Sequence, residues 1–203
     1  MLIRASTYLS KAWEDFLIFY INTMLDISQI DNTWTLFLDR DGVINHEIHP
    51  HYINKWEDFK FYDGAKVAIQ IFTQKFNRII VVTNQRGIAR GLTKMEDLEI
   101  IHSNMTRDIE EVGGKLDAIY FCPELESPNR KPNPGMGLQA AKDFSDIDLT
   151  KALVVGNSLS DMQFGRNLGI KTVFLTTNRP EVDTSDERID EVYPSLIAFA
   201  LDL

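Results

Sequence analysis

Residues 34–45 read WTLFLDRDGVIN, and the first half of this stretch predicts a β-strand. Residues 34–38 are apolar except for one threonine, which is typical of a strand that is buried on both faces. The strand leads directly into two carboxylates, Asp39 and Asp41. Because paired carboxylates at the end of a buried strand repel each other and lose hydration, they need a compensating partner.

A β-turn explains only part of this motif. Asp41-Gly42 is an ordinary turn signal, in which the Asp side chain bonds nearby backbone. Asp39, however, still belongs to the predicted strand, and a turn gives no reason for a carboxylate there. Mg²⁺ prefers hard oxygen ligands and compensates paired carboxylates, so the motif predicts a site for a divalent cation and a phosphate group.

The composition indicates a soluble globular protein. The chain has 203 residues, of which 44% are hydrophobic and 25% are charged, and this suits one domain with a sizeable core. Its net charge of -9 argues against a nucleic-acid partner and against an anionic membrane surface. The single cysteine, Cys122, cannot form an internal disulfide, so we expect a reducing, cytoplasmic location.

Strands and helices alternate along the rest of the chain. Short apolar runs predict strands at 79–82, 116–121, 152–155 and 172–175, and helical patterns predict helices at 64–76, 93–112, 137–144, 159–168 and 194–201. This alternation predicts an α/β fold with a mainly parallel sheet. In such folds the ligand site lies outside the carboxyl ends of the strands.

Residue patterns also predict how two of these helices begin. We expect Asp63 to cap the first helix, with Val67 and Ile71 facing the core. Thr93 and Glu96 fit the spacing of a capping box at the start of the second helix.

Residues 1–29 are predicted to form a helical extension ahead of a domain at 30–203. Leu9, Trp13 and Tyr20 recur at helical spacing in this extension. The continuous apolar run at residues 16–21 is too short to span a membrane and lacks a small-residue cleavage site. We expect the chain from Met24 to fold without the preceding residues.

Four motifs, in order, resemble those of the haloacid dehalogenase superfamily of aspartate-nucleophile phosphatases. The first motif is DRDGVIN at 39–45, the second is TNQRGIARG at 83–91, and the third is RKPNPGM at 130–136. The first string is similar to one branch, the heptose bisphosphate 7-phosphatases and the related histidinol-phosphate phosphatases. The resemblance implies a three-layer Rossmann-like fold, here with minimal or no cap domain because no large insertion separates the motifs.

The resemblance also implies roles for individual residues. Asp39 would be the nucleophile that forms an aspartyl-phosphate, and Asp41 would be the general acid and base. Phosphate binding would involve Thr83, Asn84 and Lys131, with Asn84 orienting either the substrate or Asp41. Substrate binding would involve Arg130, Gln85 and Arg86, and a planar guanidinium such as that of Arg130 suits a second phosphate group.

The fourth motif departs from the family pattern. The family usually has Gly-Asp-x-x-x-Asp after the fourth strand, and here Asn157 replaces the first of these aspartates. The Asn157 carbonyl oxygen can still ligate Mg²⁺ but brings no charge. The predicted Mg²⁺ ligands are therefore Asp39, Asp41, Asn157 and Asp161, the last either directly or through water.

Two other residue groups contain candidate metal ligands. Many heptose bisphosphate phosphatases have a zinc-binding loop with one histidine and three cysteines. Here only Cys122 remains, and Glu124 stands at the histidine position, so we expect no structural Zn²⁺. His46, His49 and His51 do not have the spacing of a tetrahedral site and are interpreted as part of a loop over the active site.

The predicted function is Mg²⁺-dependent hydrolysis of a phosphomonoester, with the 7-phosphate of a heptose 1,7-bisphosphate as the expected substrate. A histidinol-phosphate phosphatase would share all four motifs and stays an alternative. A second alternative is a sugar-phosphate-binding protein whose catalysis is impaired by Asn157. A polynucleotide 3′-phosphatase is disfavoured because the chain is acidic and has no basic stripe. A monomer is favoured.

Overall fold

The described part of this computed structural model comprises residues 25–48 and 51–203. Its strands are β1 (Thr35–Leu38), β2 (Arg78–Asn84), β3 (Ala118–Cys122), β4 (Ala152–Gly156), β5 (Lys171–Leu175) and β6 (Glu191–Tyr193). They form one sheet in the order β3-β2-β1-β4-β5-β6, and every neighbouring pair is parallel. The motif strand β1 therefore lies inside the sheet, between β2 and β4.

Helices cover both faces of this sheet. They are α1 (Ala65–Lys75), α2 (Met95–Glu110), α3 (Gly135–Asp143), α4 (Leu159–Leu168) and α5 (Leu196–Asp202). Helices α1, α2 and α5 contribute to one hydrophobic core, and α3 and α4 contribute to the core on the other face. The result is three layers, as expected when helices connect parallel strands.

The side chains of β1 alternate between the two cores. Leu36 and Leu38 pack into one core and Phe37 packs into the other, and all three are fully buried. This explains why the motif strand is apolar at successive positions rather than at alternate ones. The backbone of Asp39 continues the ladder, since its N–H donates to Val155 O of β4 at 3.0 Å. The carboxyl end of β1 is thus held by packing from above and below and by pairing on both sides.

The predicted fold class is confirmed, and the predicted elements lie within a few residues of the observed ones. Helix α4 has the predicted bounds. Between β1 and α1 the described residues contain one short 3-10 turn (Trp56–Asp58) and isolated bridges, but no inserted domain. The sequence does not predict β6, because this strand has only three residues, is half-exposed and has a single neighbour.

Three details of the helix predictions are wrong. Gly64, not Asp63, occupies the N-cap of α1, because the chain enters this helix with a φ of 77°, which favours glycine. Val67 is 49% exposed, since Ala65 and Ala68 take the positions that face the sheet.

The capping box at α2 is also absent. This helix begins at Met95, and its N-cap Lys94 makes no side-chain capping bond. The Thr93 hydroxyl donates instead to Asn54 Oδ1 at 2.7 Å, so a tertiary contact has replaced the local one.

The predicted N-terminal helix lies mainly outside the described residues. Just after the undescribed segment, Leu25 and Ile30 are buried in the core that contains α1. In the described residues no helix combines the length and the apolar character needed to cross a membrane.

Candidate active site

Three neighbouring strands end at the same edge of the sheet. Asp39 follows β1, Thr83 lies near the end of β2, and Asn157 follows β4. A cavity of about 260 Å³ opens at this edge. Its walls include every site residue predicted from the sequence, namely Asp39, Asp41, Thr83, Asn84, Gln85, Arg86, Arg130, Lys131, Asn157 and Asp161.

Asp39, Lys131 and Asp161 form a buried ionic cluster at the base of the cavity. The Lys131 Nζ lies 2.9 Å from Asp39 Oδ1 and 2.6 Å from Asp161 Oδ1. Burial lowers the pKa of Lys131, but the two carboxylates outweigh this and raise it, so the ammonium stays charged. The ammonium is thus shared between two carboxylates, and it is the cation that faces them at the base of the cavity.

The pKa of Asp39 is raised to about 7, first by burial and then by the nearby Asp161 carboxylate. Lys131 lowers it only in part. The base of the cavity therefore holds more negative charge than its own lysine compensates. The Asp39 Oδ1 also accepts from the Arg40 backbone N–H at 2.7 Å, so Oδ2 is the candidate attacking oxygen.

Asp41 is held by a separate set of donors. Arg40 donates to both Asp41 oxygens at 2.9 Å, and Asn45 and Gln85 each donate a side-chain N–H at 2.9 Å. Burial alone would raise the pKa of Asp41, but Arg40 and these hydrogen bonds together lower it. Two carboxylates of one motif thus have opposite pKa shifts, which is a pattern found where they have different catalytic roles.

Sequence reasoning missed Arg40 and Asn45. The Arg40 side chain is 1% exposed, and its Nη1 lies 3.1 Å from Nε2 of His102 on α2. Burial and the Arg40 charge lower the pKa of His102 to about 3, so His102 is neutral and accepts from the guanidinium. The sequence does contain a signal for Arg40, because it places an arginine between two aspartates at the end of a buried strand. A cation at such a position is expected to be buried and paired with a carboxylate.

The residues at the end of β2 and directly after it make contacts that differ from the predicted ones. Asn84 does not contact Asp41; its amide makes two 3.0 Å hydrogen bonds with the Lys131 backbone and so holds the third motif in place. Gln85 orients Asp41 instead, and its Nε2 also donates to the Thr83 hydroxyl at 2.9 Å. Gln85 was predicted to bind substrate, but it is 7% exposed and its amide is engaged within the protein. Because Thr83 accepts that bond, its own hydroxyl proton is not used in it.

Asp161 connects the ionic cluster to helix α4. Its Oδ2 accepts from the Ser158 N–H at 3.0 Å and from the Ser158 hydroxyl at 2.7 Å, as part of a capping box. Its Oδ1 contacts Lys131. Asp161 thus contacts Lys131 through one oxygen and the start of α4 through the other, and its role as a metal ligand stays a prediction.

The remaining oxygens fit Mg²⁺. Asp39 and Asn157 stand at the ends of paired strands and offer a carboxylate and an amide oxygen, which are hard ligands. Gly42 lies directly against Asn157, since a Cβ placed on Gly42 would be 1.9 Å from Asn157 Nδ2. This close approach brings the backbone of the first motif to the fourth. The excess negative charge at Asp39 is what a divalent cation would neutralise.

Basic and aromatic side chains form the rim of the cavity. Arg86 lies over the Tyr52 ring, with 5.8 Å between the guanidinium carbon and the ring centre, and Arg130 and Arg179 also line the cavity. His51 lines it too, in agreement with its predicted place in a loop over the site. The His46 ring contacts the Tyr62 ring in a tilted arrangement, with 3.9 Å between ring centres and 40° between the planes, and His49 lies outside the described residues.

Cys122 is the last residue of β3 and lies in the core. The thiol is buried and its Sγ donates to Glu124 Oε2 at 3.1 Å. Burial and then this hydrogen bond raise the pKa of Cys122. The residue at the histidine position of the zinc loop thus binds the remaining cysteine directly.

The chain is similar to known proteins over most of its length. A family model described as HAD-hydrolase-like matches residues 128–199. The "D-glycero-alpha-D-manno-heptose-1,7-bisphosphate 7-phosphatase" of Campylobacter jejuni is 42% identical over 144 residues, covering 70% of this chain and 82% of that protein. The corresponding enzyme of Helicobacter pylori, named for the beta anomer, is 38% identical over 149 residues, covering 71% of this chain and 84% of that protein.

A solved structure shares the fold. It is the D,D-heptose 1,7-bisphosphate phosphatase of B. bronchiseptica, complexed with magnesium and phosphate. Its sequence is 31% identical, the TM-score is 0.75, and the match covers 83% of this chain and 97% of that one.

Proposed function

The chain belongs to the haloacid dehalogenase-like hydrolases, in the branch of the heptose bisphosphate 7-phosphatases, and from this we propose that it removes the 7-phosphate of a heptose 1,7-bisphosphate. The observation that carries the proposal is the buried Asp39–Lys131 pair at the base of an open cavity, beside an Asp41 held by separate donors. A nucleophile, an acid-base group and a phosphate-binding cation thus meet where the motifs predict them.

In the first step, Asp39 Oδ2 attacks phosphorus in line and an aspartyl-phosphate forms, while the bond to the leaving sugar oxygen breaks. Lys131 and the Thr83 hydroxyl hold the transferring oxygens, and the charge of Lys131 stabilises the transition state. Their positions come from Asp161 and Gln85, which contact them in the structure.

Asp41 moves the protons of both steps. It donates a proton to the leaving alkoxide, then takes a proton from the water that hydrolyses the aspartyl-phosphate. Because Arg40 favours the ionised form, Asp41 is well suited to the second step, and its proton for the first step must be acquired when the phosphate is bound.

Mg²⁺ would be held by the Asp39 carboxylate, the Asp41 backbone carbonyl and Asn157, and its charge would screen the repulsion between the nucleophile and the phosphate. Intact Asp39, Asp41, Thr83 and Lys131 support turnover rather than binding alone. We propose a cytoplasmic, monomeric enzyme without structural zinc, in keeping with the single buried cysteine.

The rim of the cavity supports a substrate with a second anionic group. Arg86 and Arg130 line its outer part, where one end of a bisphosphate would lie when the other end is at Asp39. The test is the specificity constant for both anomers of heptose 1,7-bisphosphate, for histidinol phosphate and for simple phosphate monoesters. We expect a heptose bisphosphate to be preferred by at least about a hundredfold; preference for histidinol phosphate would reject the proposal.

A further inference from the structure

Asn157 has an orientation problem that the aspartate of related proteins does not have. An aspartate offers two equivalent oxygens, whereas an asparagine amide has one oxygen and one NH₂ group. If the NH₂ group faced the cation, it would repel it. The chain therefore needs something that determines which way the Asn157 amide points.

The structure contains a chain of hydrogen bonds that determines it. Asn157 Nδ2 donates to Asn178 Oδ1 at 3.0 Å, and Asn178 Nδ2 donates to Glu47 Oε1 at 2.8 Å. Arg179 Nη2 lies 2.8 Å from the same Glu47 oxygen and forms an ion pair with it. Glu47 and the Asn178–Arg179 pair come from the loops after β1 and β5, on two sides of the cavity.

The direction of each amide follows from Glu47. An ionised carboxylate only accepts hydrogen bonds, so the amide group of Asn178 must face it with Nδ2. Asn178 Oδ1 therefore points toward Asn157. Because this oxygen can only accept a hydrogen bond, Asn157 must donate to it through Nδ2. The Asn157 Oδ1 atom then points away from Asn178.

We propose that Glu47 and Asn178 are positioning residues that orient the Asn157 carbonyl oxygen toward the bound Mg²⁺. This inference rests on the metal site of the proposed function. It also explains how the chain accommodates the lost carboxylate, since Glu47 keeps a negative charge in the wall of the same cavity. Residues that orient a metal ligand from behind usually contribute 10–100-fold to metal affinity.

The test is a double-mutant cycle read out by calorimetric titration of Mg²⁺ into the full chain. Asn178→Ala should weaken Mg²⁺ binding about tenfold in the wild type. In the Asn157→Asp background the same substitution should change Mg²⁺ binding twofold or less, because a carboxylate has no amide to orient. Equal weakening in both backgrounds would overturn the proposal, whereas a wild type without any Mg²⁺ binding would overturn the metal site itself.

A second set of variants moves the carboxylate from position 47 to position 178. Glu47→Gln should weaken Mg²⁺ binding, because a glutamine can present either a donor or an acceptor to Asn178. Adding Asn178→Asp to this variant should restore Mg²⁺ binding. The glutamine at position 47 can donate to the new carboxylate at position 178, and this carboxylate again requires Asn157 to donate through Nδ2. The double variant has the same net charge as the wild type. Glu181→Gln removes an exposed carboxylate of the same loop and should leave Mg²⁺ binding unchanged. Failure of the double variant to bind better than Glu47→Gln would reject the orientation role.

Discussion

At the scale of single residues, the site depends on charges that are only partly compensated. Asp39 is paired with Lys131, yet its pKa remains raised because burial and Asp161 oppose ionisation. The pKa of Asp41 is shifted in the opposite direction, because Arg40 and the hydrogen bonds from Asn45 and Gln85 outweigh burial. One lysine is thus shared by two carboxylates, whereas Asp41 has an arginine beside it, and perturbed carboxylates of this kind are typical of catalytic sites.

Replacing Asp39 by Asn should lower kcat by at least about a thousandfold, because the variant lacks the attacking carboxylate. The fold should persist, since the amide has the same shape and the strand packing is untouched. Steady-state kinetics and circular dichroism check both parts. Asp183→Asn, at an exposed residue that does not line the cavity, is the control, and near-wild-type activity of Asp39→Asn would remove Asp39 as the nucleophile.

The raised pKa of Asp39 predicts how pH affects the metal. Because the folded pKa of about 7 exceeds the ordinary value of 3.8, the folded metal-free protein holds a proton that the unfolded chain has lost. This contribution to stability is present at low pH and is lost as pH rises through 7. Mg²⁺ must displace the proton at pH 6 but not at pH 8.

The increase in Tm on adding Mg²⁺ should therefore be larger at pH 8 than at pH 6. Thermal unfolding with and without Mg²⁺ at both pH values measures it. In Asp39→Asn the difference between the two pH values should shrink, and an equal Mg²⁺ effect at both values in the wild type would contradict the prediction.

Restoring the family carboxylate with Asn157→Asp should tighten Mg²⁺ binding. A unit charge beside the metal in a partly wet site contributes on the order of a few kcal/mol, from which desolvation and repulsion by Asp39 are subtracted. The half-saturating Mg²⁺ concentration for activity is the measurement. If it stays the same or rises, Asn157 is not a direct ligand of the metal.

At the scale of elements, helix α4 covers one face of the sheet and its first turn also contributes a residue to the candidate site. Its capping box uses Asp161 both to satisfy the first turn and to hold Lys131, so helix geometry and site geometry are coupled. Helix α5 has a similar serine cap, in which Ser195 accepts from the Ala198 N–H, but that helix lies away from the cavity.

The two caps allow a matched comparison. Ser158→Ala and Ser195→Ala should each lower the free energy of unfolding by about 1 kcal/mol, because each removes one helix cap. Only Ser158→Ala should also lower kcat, by about tenfold, since Asp161 Oδ2 keeps the backbone N–H bond but loses the hydroxyl bond, and Lys131 is then held less firmly. Denaturant unfolding measures the loss of stability in both variants, and steady-state kinetics measures kcat. Equal effects of the two substitutions on kcat would contradict a link between the α4 cap and catalysis.

The elements also show what can be predicted from a sequence. The buried strands and the four motif loops are predicted, because apolar runs and special residue strings are local signals. The Asp63 cap and the Thr93 capping box are not correctly predicted, because a left-handed entry and a contact with Asn54 override local propensity. The Arg40–His102 and Glu47–Asn178 contacts join residues 62 and 131 positions apart, and no local pattern indicates them.

At the scale of the whole molecule, one sheet carries the entire site without a second domain among the described residues. The third-motif loop is held by the Asn84 contacts with the Lys131 backbone and by the Asn133 Nδ2 bond to Ser127 O at 2.8 Å. Hydrogen bonds within the protein therefore support this loop.

Protein purified without chelator should contain no stoichiometric zinc, because Cys122 is bound to Glu124 and its partner ligands are missing. Elemental analysis by mass spectrometry checks this, with a relative that keeps the complete cysteine and histidine loop as the positive control. About one zinc per chain would show the interpretation of the loop to be wrong.

The burial of β1 on both faces has a consequence for the lifetime of the active state. Amide protons of this strand exchange with solvent only when its pairing with β2 and β4 opens, and no edge of β1 faces water. Such protons exchange through global unfolding rather than through local fluctuation. Asp39, the proposed nucleophile, follows directly on this strand, so on heating the chain should lose activity together with its last cooperative structure and not before it.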